Sequence, residues 1–528
     1  MTEPSARGTE TRFALGVAAL FGALALAGVL RHEMWRDELE IWLIARDSAG
    51  LGDLLANMAT EGHPALWYVA TWLLAQLTRA PLAMQLLNVA IGTAAAVIVA
   101  REAPLPRWAR ALFVLGYFPL YEYTVITRSY ALELLLLSAF CARLSRRRAI
   151  DGAGTLLLVL LAHTNLFGTI FAGLIVALAI LLRLGRSAAV GFRASWTALG
   201  FVTVAAAVAF VHTLIQSRAI GPDHAGAYRP GFDLRWGLDC LATVARGFVP
   251  FTDPRTYTGW NSTILDLLPP GVGSWIGAAA GLFLVVACVR ALGGVPHVRV
   301  VFLVGAATML AITLFVWFGF ARHHGQHFVW FLACAWIGAA IGPERPGPQI
   351  ARGGRAWLAG LLTIHAVTAA HAYLLDLALP FSNARAVAAY LDTPEFRELP
   401  VVGSVDYSVE PVAGYLDRPV WYPESDRFGT FLDWSDRRRL VSPVKVLADA
   451  TALSEREGRD VVLILSYKLS ATPQGRSALR PWNEMPLGAT ASLGAGATVR
   501  SFARFTGANV EDENYHLYRV SVPARGPR

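Results

Sequence analysis

Hydrophobic residues run in long blocks over the first 380 positions and in short, often alternating, stretches thereafter. Blocks able to cross a hydrocarbon core of about 30 Å fall at 13–30, 82–100, 107–123, 127–143, 152–163, 166–182, 196–216, 274–291, 299–319, 326–342 and 355–376, about eleven in all. One further run, 63–77, is apolar and aromatic but only about fifteen residues long. Beyond 380 the pattern is that of an α/β domain. Asn383 is placed to cap a helix reaching about Tyr390. The runs 399–404 and 461–466 have the continuous apolar character of buried strands, 444–457 has helical spacing, and 498–505 and 515–522 alternate like an antiparallel pair. The expected fold is mainly α: a polytopic helical membrane bundle of about eleven spans over 1–380, then an extracytoplasmic α/β domain over 381–528. Val402-Gly403-Ser404-Val405-Asp406 lacks the rest of a phosphate loop, so this second domain reads as a cap or acceptor-binding module.

Charge supports the division. Of 84 charged side chains, 36 lie in the last 148 residues, 18 of each sign; the first 380 hold 48, of which 28 are basic and 20 acidic. A water-facing domain carries about a quarter charged residues. The first part has 13% and must be solvated largely by lipid. The net +8 sits wholly in that part, so it reads as an orientation signal and not as affinity for nucleic acid. With the N-terminus cytoplasmic and 63–77 not crossing, the inner segments 1–12, 101–110, 143–151, 183–193, 290–299 and 343–355 carry 17 Arg and 5 acids. The longer outer segments then carry 11 Arg and 13 acids. Were 63–77 a span, Arg143, Arg146, Arg147 and Arg148 would face outward, against the positive-inside rule. The stretch 31–81 is therefore one outer loop and 217–273 a second, and the C-terminal domain lies outside a cell inner (plasma) membrane. Phe13–Leu30 lacks a small-residue cleavage site and reads as a retained anchor. Cys141, Cys240, Cys288 and Cys334 have no paired spacing and read as small core residues.

Candidate chemistry gathers on the outer face. The first outer loop begins Arg31-His-Glu-Met-Trp-Arg-Asp37-Glu38-Leu-Glu40. Two readings stand for the adjacent acids: they open a helix over 37–46, or they serve a reaction. Trp35, Trp42, Trp67 and Trp72 crowd the loop as at a bilayer interface, and it continues to Glu61-Gly62-His63-Pro64-Ala65-Leu66-Trp67-Tyr68. Arg128, in Tyr121-Glu122-Tyr123-Thr-Val-Ile-Thr-Arg128-Ser-Tyr130, and Arg322, in Phe320-Ala-Arg322-His323-His324-Gly-Gln-His327, share that face. Each either snorkels to lipid headgroups or holds a phosphate. Glu133, inside a span, pairs with Arg128, stays neutral or acts directly. His163, between two short half-spans, is structural or a ligand. His323, His324 and His327, taken with Asp37 or Glu38, offer a His–carboxylate set for a divalent metal. Tyr228, Trp236, Tyr257 and Trp260 mark the second outer loop as a wall over a substrate, and Asn261-Ser-Thr263 matches a glycosylation acceptor.

The acidic pair after the first span, the His-Pro-x-Leu-x-Tyr element, the many spans and the outer soluble domain together resemble the GT-C class of membrane glycosyltransferases. Protein O-mannosyltransferases and the aminoarabinose transferases of lipid A are branches of that class. The resemblance covers about residues 10–380, and the second proline common after the histidine is Ala65 here. It implies a polyprenyl-phosphate-linked sugar as donor and a hydroxyl of a glycan, lipid or protein as acceptor. It further implies Asp37 as base or acceptor-positioning residue, and the adjacent Glu38 stands with it as a second catalytic candidate. Arg128 and Arg322 would hold the donor phosphate, and Tyr130, His63, His163, His324 and Glu122 would complete the substrate site. Glycosyl transfer asks for the same groups, a carboxylate for the acceptor's proton and cations for the departing phosphate. A lipid-sugar flippase would need a polar path through the bilayer and often shows paired halves, and no repeats are visible. The same pattern also admits a non-catalytic scaffold, and an oligosaccharide ligase or polymerase.

Overall fold

The computed structural model describes residues 4–184, 192–221, 233–253, 260–269, 271–292, 295–342, 352–469, 490–492 and 496–523. Tyr228 and Tyr257 lie outside the described residues. The chain opens with α1 (Pro4–Arg31), α2 (Arg36–Arg46), α3 (Leu51–Asn57), α4 (Leu66–Ala75), α5 (Leu82–Glu102) and α6 (Arg107–Val114). A π-helical stretch, Tyr117–Val125, leads to α7 (Tyr130–Arg147). A two-residue strand β1 (Ala149–Ile150), α8 (Gly152–Ala162), α9 (Leu166–Leu184), β2 (Arg193–Ala194), α10 (Trp196–Ala219) and α11 (Leu234–Phe248) follow. The helical part closes with α12 (Val272–Ala291), α13 (Pro296–Phe315), the short α14 (Ala321–His324), α15 (Gln326–Ile341) and α16 (Arg352–Ala378).

Among the described residues seven helices are long and apolar enough to cross a membrane: α1, α5, α9, α10, α12, α13 and α16. Four other expected spans are helical but do not meet that measure. The run 107–123 divides into α6 and the π-helix, and 127–143 becomes α7, which ends in Arg146 and Arg147. The runs 152–163 and 326–342 form α8 and α15, of 11 and 16 residues. The segment 63–77 yields only α4, ten residues or about 15 Å, too short by itself to cross. The π-helix packs closely on α5 because Gly92 has no side chain; a Cβ there would collide with Thr124.

The C-terminal domain starts with α17 (Ala384–Leu391), β3 (Val401–Ser404) and α18 (Asp406–Leu416). It continues through β4 (Val420–Tyr422), β5 (Arg427–Gly429), α19 (Pro443–Glu457), β6 (Val461–Leu465), β7 (Thr490–Ser492), β8 (Thr498–Phe505) and β9 (Tyr515–Ser521). The seven strands are ordered β5-β4-β3-β6-β9-β8-β7, with β3 parallel to both β4 and β6 and the remaining pairs antiparallel. Side chains of α17 and α18 cover one face and those of α19 the other. That double cover explains why β3 and β6 are apolar at nearly every position. Asn383 precedes α17 but does not cap it with its side chain. Its amide donates instead to Asn514 Oδ1 at 3.0 Å, tying the helix to the entry of β9, which corrects the capping expectation.

This domain grips the segment 31–81. The Met34 N–H donates to Tyr415 Oη at 2.9 Å, the Arg36 N–H to Glu513 Oε1 at 3.0 Å, and Trp434 Nε1 to Glu40 at 2.5 Å. Arg46 and Arg79 meet Asp417 at 2.8 and 2.6 Å.

Candidate functional site

The geometry begins where α1 ends and α2 starts. At the third helical position Glu38 reaches back to the Trp35 N–H at 3.3 Å, the device that fixes a helix entry. One position earlier, Asp37 points elsewhere. Its Oδ2 receives Arg128 Nη1 at 2.9 Å and Arg322 Nη2 at 2.6 Å, and its Oδ1 lies 3.9 Å from Arg36 Nε. Arg128 Nη1 also donates to the Asp37 carbonyl at 2.8 Å. Burial alone would raise the carboxyl's pKa, but Arg128, Arg322 and Arg36 outweigh it and hold Asp37 below the ordinary carboxylate range. Its side chain keeps 23% of its surface accessible, so the carboxylate can be reached. The chain order scatters these three groups over 285 residues, and the fold joins them on one oxygen.

Arg322 is 2% exposed and lies among the rings of Phe320, Trp35 and Trp260, at 4.8, 5.5 and 5.9 Å. Among the described residues its Nε and Nη1 have no hydrogen-bond partner. Glu122, on the π-helix, does not bond it: Glu122 Oε2 accepts from Tyr117 Oη at 2.8 Å and Trp260 Nε1 at 3.1 Å. That holds Trp260 edge-on to Trp35, with ring centres 4.7 Å apart. Tyr130 stacks on Tyr123 at 5.2 Å, and Tyr123 Oη donates to the Arg322 carbonyl at 2.9 Å. His63 places Nε2 3.5 Å from Arg128 Nη2, and its own N–H donates to Gln216 at 2.7 Å. Burial and the Arg128 charge push the imidazole pKa down to about 3, so the ring is neutral and can accept from Arg128. Beside it Glu61 accepts from Tyr68 Oη at 2.7 Å, and burial raises its pKa to about 7.

Several expected site residues fall outside this group. Glu38 is fully buried with both oxygens in use: Oε2 bonds His32 Nε2 at 2.9 Å, and Oε1 accepts the Thr127 N–H at 2.5 Å. Glu38 thus turns both oxygens into the protein, where it fixes the residue before Arg128, and it does not join the Asp37 group. His163 contributes its carbonyl, which accepts the Leu66 N–H at 3.2 Å, and its ring makes no bond to the cluster. His324 Nε2 lies 3.0 Å from the Phe318 carbonyl, and His323 Nδ1 accepts the Phe320 N–H at 2.9 Å, so both rings brace their own turn. The His–carboxylate metal set is not assembled: among the described residues no three His, Cys, Asp or Glu side chains converge. Glu133 does not pair with Arg128; it accepts from Asn165 at 2.7 Å and Gln326 at 3.3 Å.

Sequence reasoning passed over His32, Asp376, Asn165 and Gln326. Only Asp376 carried a signal, as an acid inside an apolar run. An apolar cleft opens between α5, α7, α13 and α15, running from Leu134 and Val329 to Ala103, Leu292 and Ala339 at the ends of those helices farther from Arg128 and Arg322. No protein-family model matches the chain, and no curated protein matches it in sequence.

Proposed function

We propose that the protein is an integral-membrane glycosyltransferase of the GT-C kind. It takes a sugar from a polyprenyl-phosphate carrier on the outer face of the inner (plasma) membrane and passes it to a hydroxyl of a glycan, lipid or protein. In this reading the N-terminus is cytoplasmic and the C-terminal domain covers the site from outside. The observation that carries the reading is the meeting of Arg128 and Arg322 on Asp37, with two donors of Arg322 unused. Two guanidiniums grip a phosphate through charge-assisted, forked hydrogen bonds that lysines would not reproduce. The Asp37 carboxylate takes the acceptor hydroxyl's proton as that oxygen attacks the sugar's anomeric carbon. The bond from that carbon to the phosphate oxygen breaks, the electron pair leaves with the phosphate, and the arginines stabilise the charge that develops there. Attack opposite the leaving phosphate inverts the anomeric centre. The apolar cleft, which begins at Leu134 and Val329 and runs away from the arginines toward Ala103 and Leu292, offers an apolar path to a hydrocarbon tail descending from an outer-face phosphate.

The test is a transfer assay on the full-length protein in lipid nanodiscs, with radiolabelled polyprenyl-phosphate sugars and extracted envelope glycans, lipids and proteins as acceptors. Label should move covalently to an acceptor, and D37N, at normal membrane levels, should abolish the transfer. Wild-type turnover by D37N, or movement of the donor across liposomes with no covalent product, would defeat the proposal.

A further inference from the structure

The anion seat is filled from within. A single carboxylate oxygen of Asp37 takes a hydrogen bond from Arg322 at 2.6 Å and is ion-paired with Arg128 at 2.9 Å, which is the place a phosphate oxygen would hold between two guanidiniums. The fit is incomplete. Arg322 is buried, yet among the described residues its Nε and Nη1 go without a partner, while the second Asp37 oxygen is turned toward Arg36 at 3.9 Å. Buried donors left unmade are costly, and a phosphate brings further oxygens and more charge to the same two side chains.

We infer that Asp37 is the resident occupant of the Arg128–Arg322 seat and that an incoming phosphate displaces it, so that seating the donor is the event that frees the base. The inference rests on the function proposed above, since it takes the seat to be one for phosphate. The exchange makes and breaks no covalent bond: the Arg322 hydrogen bond and the Arg128 ion pair pass from the carboxylate to phosphate oxygens, and Arg322's spare donors gain partners. While both guanidiniums hold Asp37, their charge quenches its basicity. Once they turn to phosphate, the carboxylate can accept a proton from an acceptor hydroxyl. An empty site therefore holds an idle base, which guards against activating an acceptor with no donor in place. The ligand chemistry is a phosphate monoester or diester, carried by a lipid or free in solution.

Two probes separate these sources: a polyprenyl phosphate and inorganic phosphate, each titrated onto the full-length protein in phosphatidylcholine nanodiscs by calorimetry. D37N removes the resident charge and should tighten binding about tenfold, equivalent to one decade of Kd. D37E keeps the charge and should bind no more tightly than wild type, while R128K and R322K should weaken binding. A gain seen with both probes assigns the seat to any phosphate; a gain confined to the lipid probe assigns it to a lipid-borne one. If D37N does not fold, D37S, also uncharged, takes its place. Unchanged or weaker binding by the uncharged variants, with R128K and R322K still impaired, overturns the exchange and leaves the phosphate seat standing. Tightening by D37E equal to that by D37N also overturns it. If neither arginine variant alters binding, the seat does not bind phosphate and the proposed function falls with the inference.

Discussion

Replacing His32 tests the buried scaffold that holds the candidate site. His32 Nδ1 lies 2.8 Å from Asp376 Oδ2 and Nε2 2.9 Å from Glu38 Oε2, with the three side chains at most 4% exposed. Carboxylates face both ring nitrogens, so each nitrogen carries a proton. Burial disfavours the imidazolium, but Asp376 and Glu38 outweigh it and raise the His32 pKa to about 10. H32Q puts a neutral amide between two buried acids, and breaking a buried ion pair by removing one partner costs about 3–5 kcal/mol. D376N leaves Glu38 to the imidazolium and should cost about 1.5–3 kcal/mol, the worth of a hydrogen bond to a charged group. In H32Q/D376N less is left unpaired, so the double variant should be less destabilised than the sum of the singles by about 0.5–3 kcal/mol. Reversible unfolding in mixed detergent micelles, followed by tryptophan fluorescence, reads all three values. The sign with pH is fixed as well. A raised imidazole pKa gives stability that is complete below the unfolded value of 6.5 and is lost as pH rises through about 10, and H32Q should show no such loss. Additive single effects, or an H32Q stability within about 0.5 kcal/mol of wild type, would refute the charged triad.

The other predictions concern the site and its surroundings. R322A, which removes a group aimed at developing charge, should lower transfer about 10²–10³-fold, and a variant at wild-type rate would show that Arg322 serves only the fold. E133Q should change transfer by less than about tenfold, because an amide oxygen can still accept from Asn165 and Gln326; a complete loss would make Glu133 a reacting group. Glu61 has a pKa raised by burial to about 7, so thermal stability should fall as pH climbs from about 4.5 to about 7 and flatten in E61Q. Identical pH profiles for wild type and E61Q would contradict that assignment.

Charge counting placed Asp37, Arg128 and Arg322 on one face because positive-inside bias acts on whole loops. The bonds among them join segments 91 and 285 residues apart, which no local pattern encodes. The same limit hid His32–Asp376, 344 residues apart, and the clasp of Arg36 by Glu513, 477 apart. Hydropathy found the apolar runs but not their form: the 107–123 run becomes α6 and a π-helix. Glu38 misled through adjacency to Asp37, since neighbouring helix positions project some 100° apart and meet different partners. The histidines near Arg322 suggested a metal by spacing alone, whereas two of their rings serve the turn that positions the arginine. In the C-terminal domain β3, β6, β8 and β9 were legible because burial on one or both faces leaves a plain apolar pattern, whereas β4, β5 and β7 are only three residues each.

The most direct measurement is a structure of the full-length protein with a polyprenyl phosphate bound. The phosphate is expected within hydrogen-bond distance of both Arg128 and Arg322, with Asp37 turned off them and the chain of the lipid in the cleft that begins at Leu134 and Val329. A phosphate bound away from both arginines, with Asp37 still holding them, would contradict it.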